Sequence, residues 1–185
     1  MRDYREFLGE VLIPEDKLQI RIGELGAQIS RDYAGRDGLL LICILRGGVI
    51  FLTDLMRKIT IPHAIEFMAV SSYGLGGRES TGRVRINLDL GIDIRNRDVI
   101  IVEDIIDSGY TIAAVLDLLS TRKPASICVC TLLDKADRRE VSVPVKYTGF
   151  SIPNKFVFGY GLYIDDYYRN LPFIGVVDLK KYQAG

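Results

Sequence analysis

The sequence has few of the residues that build disulfide frameworks or zinc sites, with three cysteines and one histidine among 185 residues. An odd number of cysteines argues against a full set of disulfides. Cys128 and Cys130 alternate with apolar residues, and Cys43 lies in another apolar run, so we expect reduced, buried thiols. His63 has no second histidine or Cys-x-x-Cys pair nearby, which argues against zinc and favours an ordinary strand or loop residue.

The chain also lacks net charge and long apolar runs. Its 24 basic and 24 acidic residues balance, so no overall positive surface is offered to nucleic acid or to an anionic membrane. No apolar run approaches the ~20 residues that span a bilayer, and the charged residues 1–6 are unlike a signal peptide. We therefore expect a cytoplasmic protein without nucleic-acid or membrane partners, in which local basic clusters carry any anion binding.

The sequence does contain helical and strand-like segments in alternation. Leu18, Ile22, Leu25 and Ile29 recur at helical spacing. Helices are predicted at 15–33, 49–58 and 111–120, a glycine-rich loop at 71–82, and strands at 39–45, 65–70, 83–88, 99–103, 127–133, 146–150 and 156–161. This order predicts one α/β domain over residues 1–185, with a mostly parallel sheet between helices. In such sheets ligands bind beyond the carboxyl ends of the strands.

Residues 99–111, VIIVEDIIDSGYT, combine a buried strand, an acidic pair and a small-residue turn before a helix. The acidic pair is Glu103 and Asp104, and the turn and helix start contain Asp107, Ser108, Gly109, Tyr110 and Thr111. Free N–H groups at a helix start bind a phosphate monoester, and small residues allow it to approach closely. Carboxylates beside a phosphate suit a ligand that also offers hydroxyls, as ribose 5-phosphate does.

Over all thirteen positions this segment closely resembles the motif that binds phosphoribosyl pyrophosphate (PRPP) in the type I phosphoribosyltransferases. Two alternatives stay open from the residues themselves. The segment could be only a strand, an acidic turn and a helix cap, with Asp107 or Ser108 as the capping residue. A response-regulator receiver domain also ends a strand in acidic residues, but there they lie near the N-terminus, whereas this pair falls past mid-chain.

The rest of the chain resembles the hypoxanthine-guanine branch of that family. Arg46 and Gly47 match a loop that binds pyrophosphate, in which a cis peptide bond is often found at the position matching Arg46–Gly47. Ser72 and Tyr73 match a serine-tyrosine pair on a lid that closes over the reaction. Without the resemblance, these segments would be predicted as a glycine turn and a surface loop.

The same resemblance assigns base-binding residues to the C-terminal half. Lys135 matches a lysine that donates to O6 of the base, which favours 6-oxopurines over adenine. Phe156 matches an aromatic residue that stacks on the purine, and the backbone at Val157 matches one that recognises the base edge. Arg169 matches an arginine that contacts pyrophosphate. On sequence alone, the lysine would be a solvated residue of a charged run and the aromatic segment a core strand.

One departure from the family concerns the metal. The family implies Mg²⁺ as cofactor, with Glu103 and Asp104 holding it or the ribose hydroxyls. A further metal-binding aspartate usually follows Gly-Tyr-Gly-Leu, but Tyr163 stands there. If Tyr163 lies at a strand end, Asp165 faces the same side and could replace the missing ligand. Otherwise that metal site is weakened or is held through waters.

The resemblance thus implies purine salvage, in which ribose 5-phosphate passes from PRPP to hypoxanthine or guanine, giving IMP or GMP and pyrophosphate. Asp107 would be the acid or base at purine N7. A type I phosphoribosyltransferase fold is implied, with a small hood formed by the N- and C-terminal segments, in a homodimer or homotetramer. The alternatives are a regulator of the same fold that binds nucleotide and nucleic acid, and an enzyme that prefers xanthine or a pyrimidine.

Overall fold

The computed structural model describes residues 2–72 and 84–183. Strands and helices alternate along most of the chain, as the sequence predicts. In chain order they are β1 Leu8–Ile13, α1 Glu15–Asp32, β2 Leu40–Leu45, α2 Val49–Met56, β3 Ala64–Ser72, β4 Val84–Leu88, β5 Asp98–Ile106, α3 Tyr110–Ser120, β6 Ser126–Asp134, β7 Val145–Ser151, β8 Val157–Phe158, β9 Ile174–Val177 and α4 Leu179–Gln183.

The larger sheet has six strands in the order β4-β3-β2-β5-β6-β7, and all neighbours are parallel except β4, which is antiparallel to β3. Its central strands are buried on both faces, as continuous apolar runs predict. Leu41 and Cys43 pack into the cluster that contains α1 and α2, whereas Leu40 and Ile42 pack into the cluster that contains α3. The prediction of a mostly parallel sheet between helices is therefore confirmed.

A smaller antiparallel sheet, in the order β1-β9-β8, joins the N-terminal strand to two C-terminal strands. Phe7, Phe158 and Ile164 are among the residues that form its own apolar cluster.

The three cysteines are buried and free, as expected. His63 lies in a loop, where its Nδ1 pairs with the Ile61 carbonyl at 2.8 Å. No helix of the described part has the length and apolarity to cross a bilayer.

Several predicted boundaries are wrong by two residues or more, including the end of the second helix, which is Met56 and not residue 58. β5 continues to Ile106, because its pairing with β6 runs to Ile106 opposite Asp134 although its pairing with β2 ends at Val102. β3 includes residues 71 and 72, which the sequence predicts as loop; residues 73–82 of that loop, and residue 83 of the strand predicted to follow it, lie outside the described residues. The strand predicted at 156–161 is only two residues long, since residues 159, 160 and 161 all have positive φ.

Candidate active site

The acidic pair lies within β5 and not beyond its end. β5 pairs with β2 only as far as Val102. Beyond that residue, the loop that follows β2 lies against the acidic pair. A Cβ on Gly47 would overlap Oδ2 of Asp104, so only glycine allows this approach. Oδ1 of Asp104 accepts the Ile105 N–H at 2.8 Å. Oε2 of Glu103 is buried and has no hydrogen-bond partner among the described residues.

These two carboxylates are held in an unfavourable electrostatic environment. Burial raises the pKa of Asp104 to about 6, although the Ile105 N–H and the charge of Arg169 oppose the rise. Burial, together with the negative charge of Asp104, raises the pKa of Glu103 well above its usual value. A partner that supplies positive charge or hydroxyl donors would relieve both effects. Paired carboxylate oxygens are also ligands that hard divalent cations prefer.

The predicted phosphate turn connects β5 to α3. Gly109 has a φ of +92°, and a Cβ there would lie 3.0 Å from Cδ of Arg139. The Ser108 carbonyl accepts the N–H of Glu140 at 2.9 Å, which fastens the turn to the segment after β6. A cavity of about 150 Å³ lies at this helix start. It is lined by the motif residues Glu103, Asp107, Ser108, Gly109 and Thr111, together with Ile105, Ile106 and Ile112.

Asp107 lies between two cations. Its Oδ2 accepts a hydrogen bond from Nζ of Lys135 at 3.1 Å, and its Oδ1 accepts one from Nε of Arg138 at 3.2 Å. Lys135 is only 8% exposed, so it is not the solvated residue that a charged run suggests. The sequence does not predict the contact of Arg138 with Asp107, because a charged segment after a strand does not indicate which of its side chains points toward the site.

A second cavity, of about 610 Å³, also borders the acidic pair; its lining includes Arg46, Gly47, Glu103, Asp104, Thr111, Tyr163 and Arg169. The loop does contain a cis peptide bond, but it joins Leu45 to Arg46, one bond before the expected position, directly where β2 ends. Arg46 and Arg169 both donate to Oδ1 of Asp166, at 3.1 and 3.3 Å. Asp166 has no role predicted from the sequence.

A third cavity, of about 390 Å³, contains the predicted base-binding residues Phe156 and Val157. The Phe156 side chain is 51% exposed, whereas Val157 is buried. The remaining walls come from Asp104, Ile105, Leu162, Tyr163, Ile164, Asp165 and Tyr182. Lys135 is not one of these residues, and the structure brings it to Asp107 instead.

The prediction that Asp165 replaces a metal-binding aspartate stays a prediction, but the strand geometry that suggested it is absent. Tyr163 lies between two isolated bridges and not in a strand, and Asp165 has a φ of +51°, so strand alternation does not apply. The hydroxyl of Tyr182 donates to Oδ2 of Asp165. Within residues 2–72 and 84–183 no three acidic, cysteine or histidine side chains converge as a metal site.

Of the two predicted lid residues, the structure describes one. Ser72 is the last residue of β3, and its backbone pairs with Val84 of β4. Tyr73 lies outside the described residues.

Two further predicted residues lie in the described part. Tyr110 begins α3, and the guanidinium of Arg169 lies 4.1 Å from the ring centre of Tyr163.

The comparisons with known proteins agree with this geometry. Residues 14–165 match the phosphoribosyl transferase domain. Hypoxanthine phosphoribosyltransferase of Escherichia coli K12 is 51% identical over 172 residues, which are 92% of this chain and 96% of that protein. Hypoxanthine-guanine phosphoribosyltransferase of Mycobacterium avium is 53% identical over 178 residues, 94% of this chain and 87% of that protein.

Solved structures give the same result. A crystal structure of a hypoxanthine phosphoribosyltransferase from Staphylococcus aureus superposes with a TM-score of 0.93 at 45% identity, covering 97% of this chain and 96% of that one. A ternary substrate complex of a mutant hypoxanthine phosphoribosyltransferase from Trypanosoma cruzi gives a TM-score of 0.90 at 40% identity, covering 96% of this chain and 99% of that one.

The parallel sheet between helices is that of the type I phosphoribosyltransferase fold, and the chain belongs to the phosphoribosyltransferase family. It is a transferase. The matched relatives are hypoxanthine and hypoxanthine-guanine phosphoribosyltransferases, so the branch that the motifs predicted is confirmed.

Proposed function

We propose that this chain is a purine salvage enzyme that transfers ribose 5-phosphate from PRPP to hypoxanthine or guanine. The observation that carries the proposal is that the three cavities have lining residues in common. Glu103 and Thr111 line both the 150 Å³ and the 610 Å³ cavities, and Asp104 lines the 610 Å³ and the 390 Å³ cavities. A ligand with a phosphate, a pyrophosphate and a sugar between them, next to a flat base, fits this arrangement.

The 150 Å³ cavity is the proposed site of the 5′-phosphate. There the backbone of residues 108–111, with the hydroxyls of Ser108 and Thr111, would supply hydrogen bonds at the positive end of α3. The 610 Å³ cavity would take pyrophosphate, where Gly47 allows close approach and Arg46 and Arg169 supply positive charge. Both arginines would then exchange Asp166 for the incoming anion.

We propose Mg²⁺ as the cofactor, held by Glu103 and Asp104. The unpartnered, buried Oε2 of Glu103 and the mutual repulsion of the two carboxylates fit a divalent cation. When bound, Mg²⁺ supplies charge neutralisation for the leaving pyrophosphate. The carboxylates themselves orient the ribose hydroxyls and favour positive charge at C1′.

Asp107 is the proposed acid–base group. As the bond from C1′ to pyrophosphate breaks and N9 of the purine bonds to C1′, the carboxylate accepts the proton that the base carries on N7. Lys135 and Arg138 hold both oxygens of this carboxylate, so its orientation is fixed before the base binds. Ser72 and Tyr73 would belong to the segment that excludes water from the activated sugar.

The base itself would stack on Phe156, with its edge read by the Val157 backbone. A lysine ammonium has three donors, and the contact with Asp107 uses one of those on Lys135. The remaining donors would be available to O6 of the base, which would favour 6-oxopurines over adenine.

The direct test is nucleotide formation. The protein is mixed with PRPP, MgCl₂ and hypoxanthine or guanine, and IMP or GMP is followed by absorbance and identified by chromatography. Parallel reactions with xanthine, adenine and uracil test the alternatives on the same preparation. Turnover of hypoxanthine or guanine supports the proposal, and turnover confined to another base contradicts it.

Replacing Lys135 by methionine is expected to raise the KM for hypoxanthine and guanine about ten-fold or more, because the O6 donor is lost while the buried stem is kept. The KM for PRPP should stay within about two-fold. Arg138→Met is the matched control, since it removes the other cation on Asp107 from an exposed position. Steady-state kinetics with each substrate varied in turn measures both KM values. A rise confined to the KM for PRPP would refute the O6 contact.

We further propose that the enzyme acts in the cytoplasm as a homodimer or homotetramer. Light scattering on the purified chain at working concentration tests the assembly. A molar mass equal to the 20.8 kDa chain would contradict it.

A further inference from the structure

One buried tyrosine hydroxyl fastens the C-terminal loop to the helices behind the site. Tyr160, which is 4% exposed, donates a hydrogen bond to Oδ2 of Asp54 on α2. Gln19 of α1 donates to the same oxygen at 2.9 Å, so the carboxylate is held from two sides. The Tyr160 backbone is also fixed, because its N–H donates to the Leu171 carbonyl at 2.9 Å.

The next residue, Gly161, contacts both arginine-bearing segments of the proposed pyrophosphate site. Its N–H donates to the Arg169 carbonyl at 2.9 Å, and its own carbonyl accepts Nη1 of Arg169 at 2.7 Å. A Cβ on Gly161 would overlap the carbonyl oxygen of Gly47. The backbone at Gly161 therefore sets the spacing between Arg169 and the loop that carries Arg46.

We propose that Tyr160 is a positioning residue for the pyrophosphate group, acting through its hydrogen bond to Asp54. That bond holds Gly161 against Gly47 and so fixes the distance between the two arginines. The inference rests on the proposed function. Tyr160 lines none of the three cavities described above, so its effect on a substrate must pass through Gly161.

The chain offers a matched control for a purely structural effect. Tyr147 of β7, which is 1% exposed, donates its hydroxyl to Oδ2 of Asp32 at 2.7 Å. It is therefore another buried tyrosine paired with an aspartate of a helix, and it too lines none of the three cavities. Tyr147→Phe and Tyr160→Phe remove the same atom from similar surroundings.

The experiment compares these two variants with the wild type in three measurements. Steady-state kinetics gives KM for PRPP and for hypoxanthine, calorimetry with inorganic pyrophosphate and MgCl₂ gives an affinity without turnover, and calorimetric unfolding gives Tm. Tyr160→Phe is expected to raise the PRPP KM and the pyrophosphate Kd about ten-fold, as loss of one bond to a charged group allows. The hypoxanthine KM and kcat should stay within about two-fold.

Tyr147→Phe is expected to lower Tm as much as Tyr160→Phe does, with unchanged PRPP and pyrophosphate binding. Asp54→Asn keeps an acceptor for the tyrosine hydroxyl and should retain the wild-type PRPP KM, whereas Asp54→Ala should behave as Tyr160→Phe. Any of three results would overturn the inference. They are equal kinetic changes in both tyrosine variants, unchanged pyrophosphate affinity in Tyr160→Phe, and a rise in the hypoxanthine KM of Tyr160→Phe equal to the rise in its PRPP KM. A wild type that forms no nucleotide would refute the proposed function instead, and the pyrophosphate calorimetry would still decide this inference.

Discussion

Asp107→Asn is expected to lower the single-turnover rate of nucleotide formation about 10² to 10³-fold, the usual contribution of a positioned acid or base. Asparagine has nearly the same shape, and its carbonyl oxygen can still accept from Lys135 or Arg138, which now hold the carboxylate at 3.1 and 3.2 Å. The variant therefore loses the proton acceptor and keeps one of the two contacts with the cations. PRPP affinity should be unchanged or slightly higher, because a negative charge leaves the wall of the 150 Å³ cavity.

The control for this variant is Asp137→Asn. Asp137 lies in the exposed turn Ala136–Arg138 and undergoes the same change of charge close by. It should retain the wild-type rate. Single-turnover experiments are required, since slow product release could hide a change in chemistry under steady-state conditions. A wild-type rate in Asp107→Asn would remove this residue from proton transfer.

Much of the fold follows from patterns that depend on neighbours in the sequence. The four-residue and three-residue steps from Leu18 to Ile29 define one face of α1, and all four residues of that stripe are fully buried. The apolar run of β2 predicts a strand covered on both sides, and its residues divide between two clusters by alternation. Such patterns are local, so one sequence is enough to recognise them.

The errors arise where partners distant in sequence decide the structure. β5 continues through the acidic pair because β6 pairs with it as far as Asp134, and nothing in residues 99–106 indicates the length of β6. The strand geometry expected around Tyr163 is absent, because residues 165, 166 and 168 have positive φ, a conformation that non-glycine residues rarely adopt. Strand alternation therefore could not predict the direction of the Asp165 side chain.

The site residues divide in the same way. The motif around Asp107 is contiguous, so sequence alone could select its members. Asp166 pairs with Arg46 across 120 residues, and Arg138 reaches Asp107 from the far side of β6. Those contacts exist only because the sheet brings the ends of β2, β5 and β6 to one edge.

The acidic pair is expected to lower the free energy of unfolding at neutral pH, although the same carboxylates are proposed to bind the ligand. The pKa of Asp104 is raised to about 6, whereas an unfolded aspartate titrates near ~4. Between these values the folded state binds more protons than the unfolded state, so the free energy of unfolding falls as pH rises through that window. Burial and the negative charge of Asp104 also raise the pKa of Glu103, which adds to the loss.

Asp104→Asn is therefore expected to raise the Tm of the ligand-free protein at pH 7.5 by several degrees. A gain of about 1–3 kcal/mol follows from a shift of this size, and a chain of this length gains about 2–4 °C per kcal/mol. The advantage should disappear near pH 4, where the wild-type carboxylate is protonated in the folded state. The same variant is expected to lose Mg²⁺-dependent PRPP binding at least about ten-fold, since one of the two proposed oxygen ligands loses its charge.

Scanning calorimetry at pH 4 and pH 7.5 and titration of PRPP with and without MgCl₂ measure the two effects on one preparation. Asp117→Asn on the exposed side of α3 removes the same charge without touching the site, and neither quantity should change. Glu103→Gln should behave as Asp104→Asn does, because either substitution relieves the repulsion between the two carboxylates. A lower Tm at pH 7.5 would contradict the electrostatic cost of the pair, and unchanged PRPP affinity would contradict its role in binding. Both results together would leave the pair without a functional reason to be buried at this edge of the sheet.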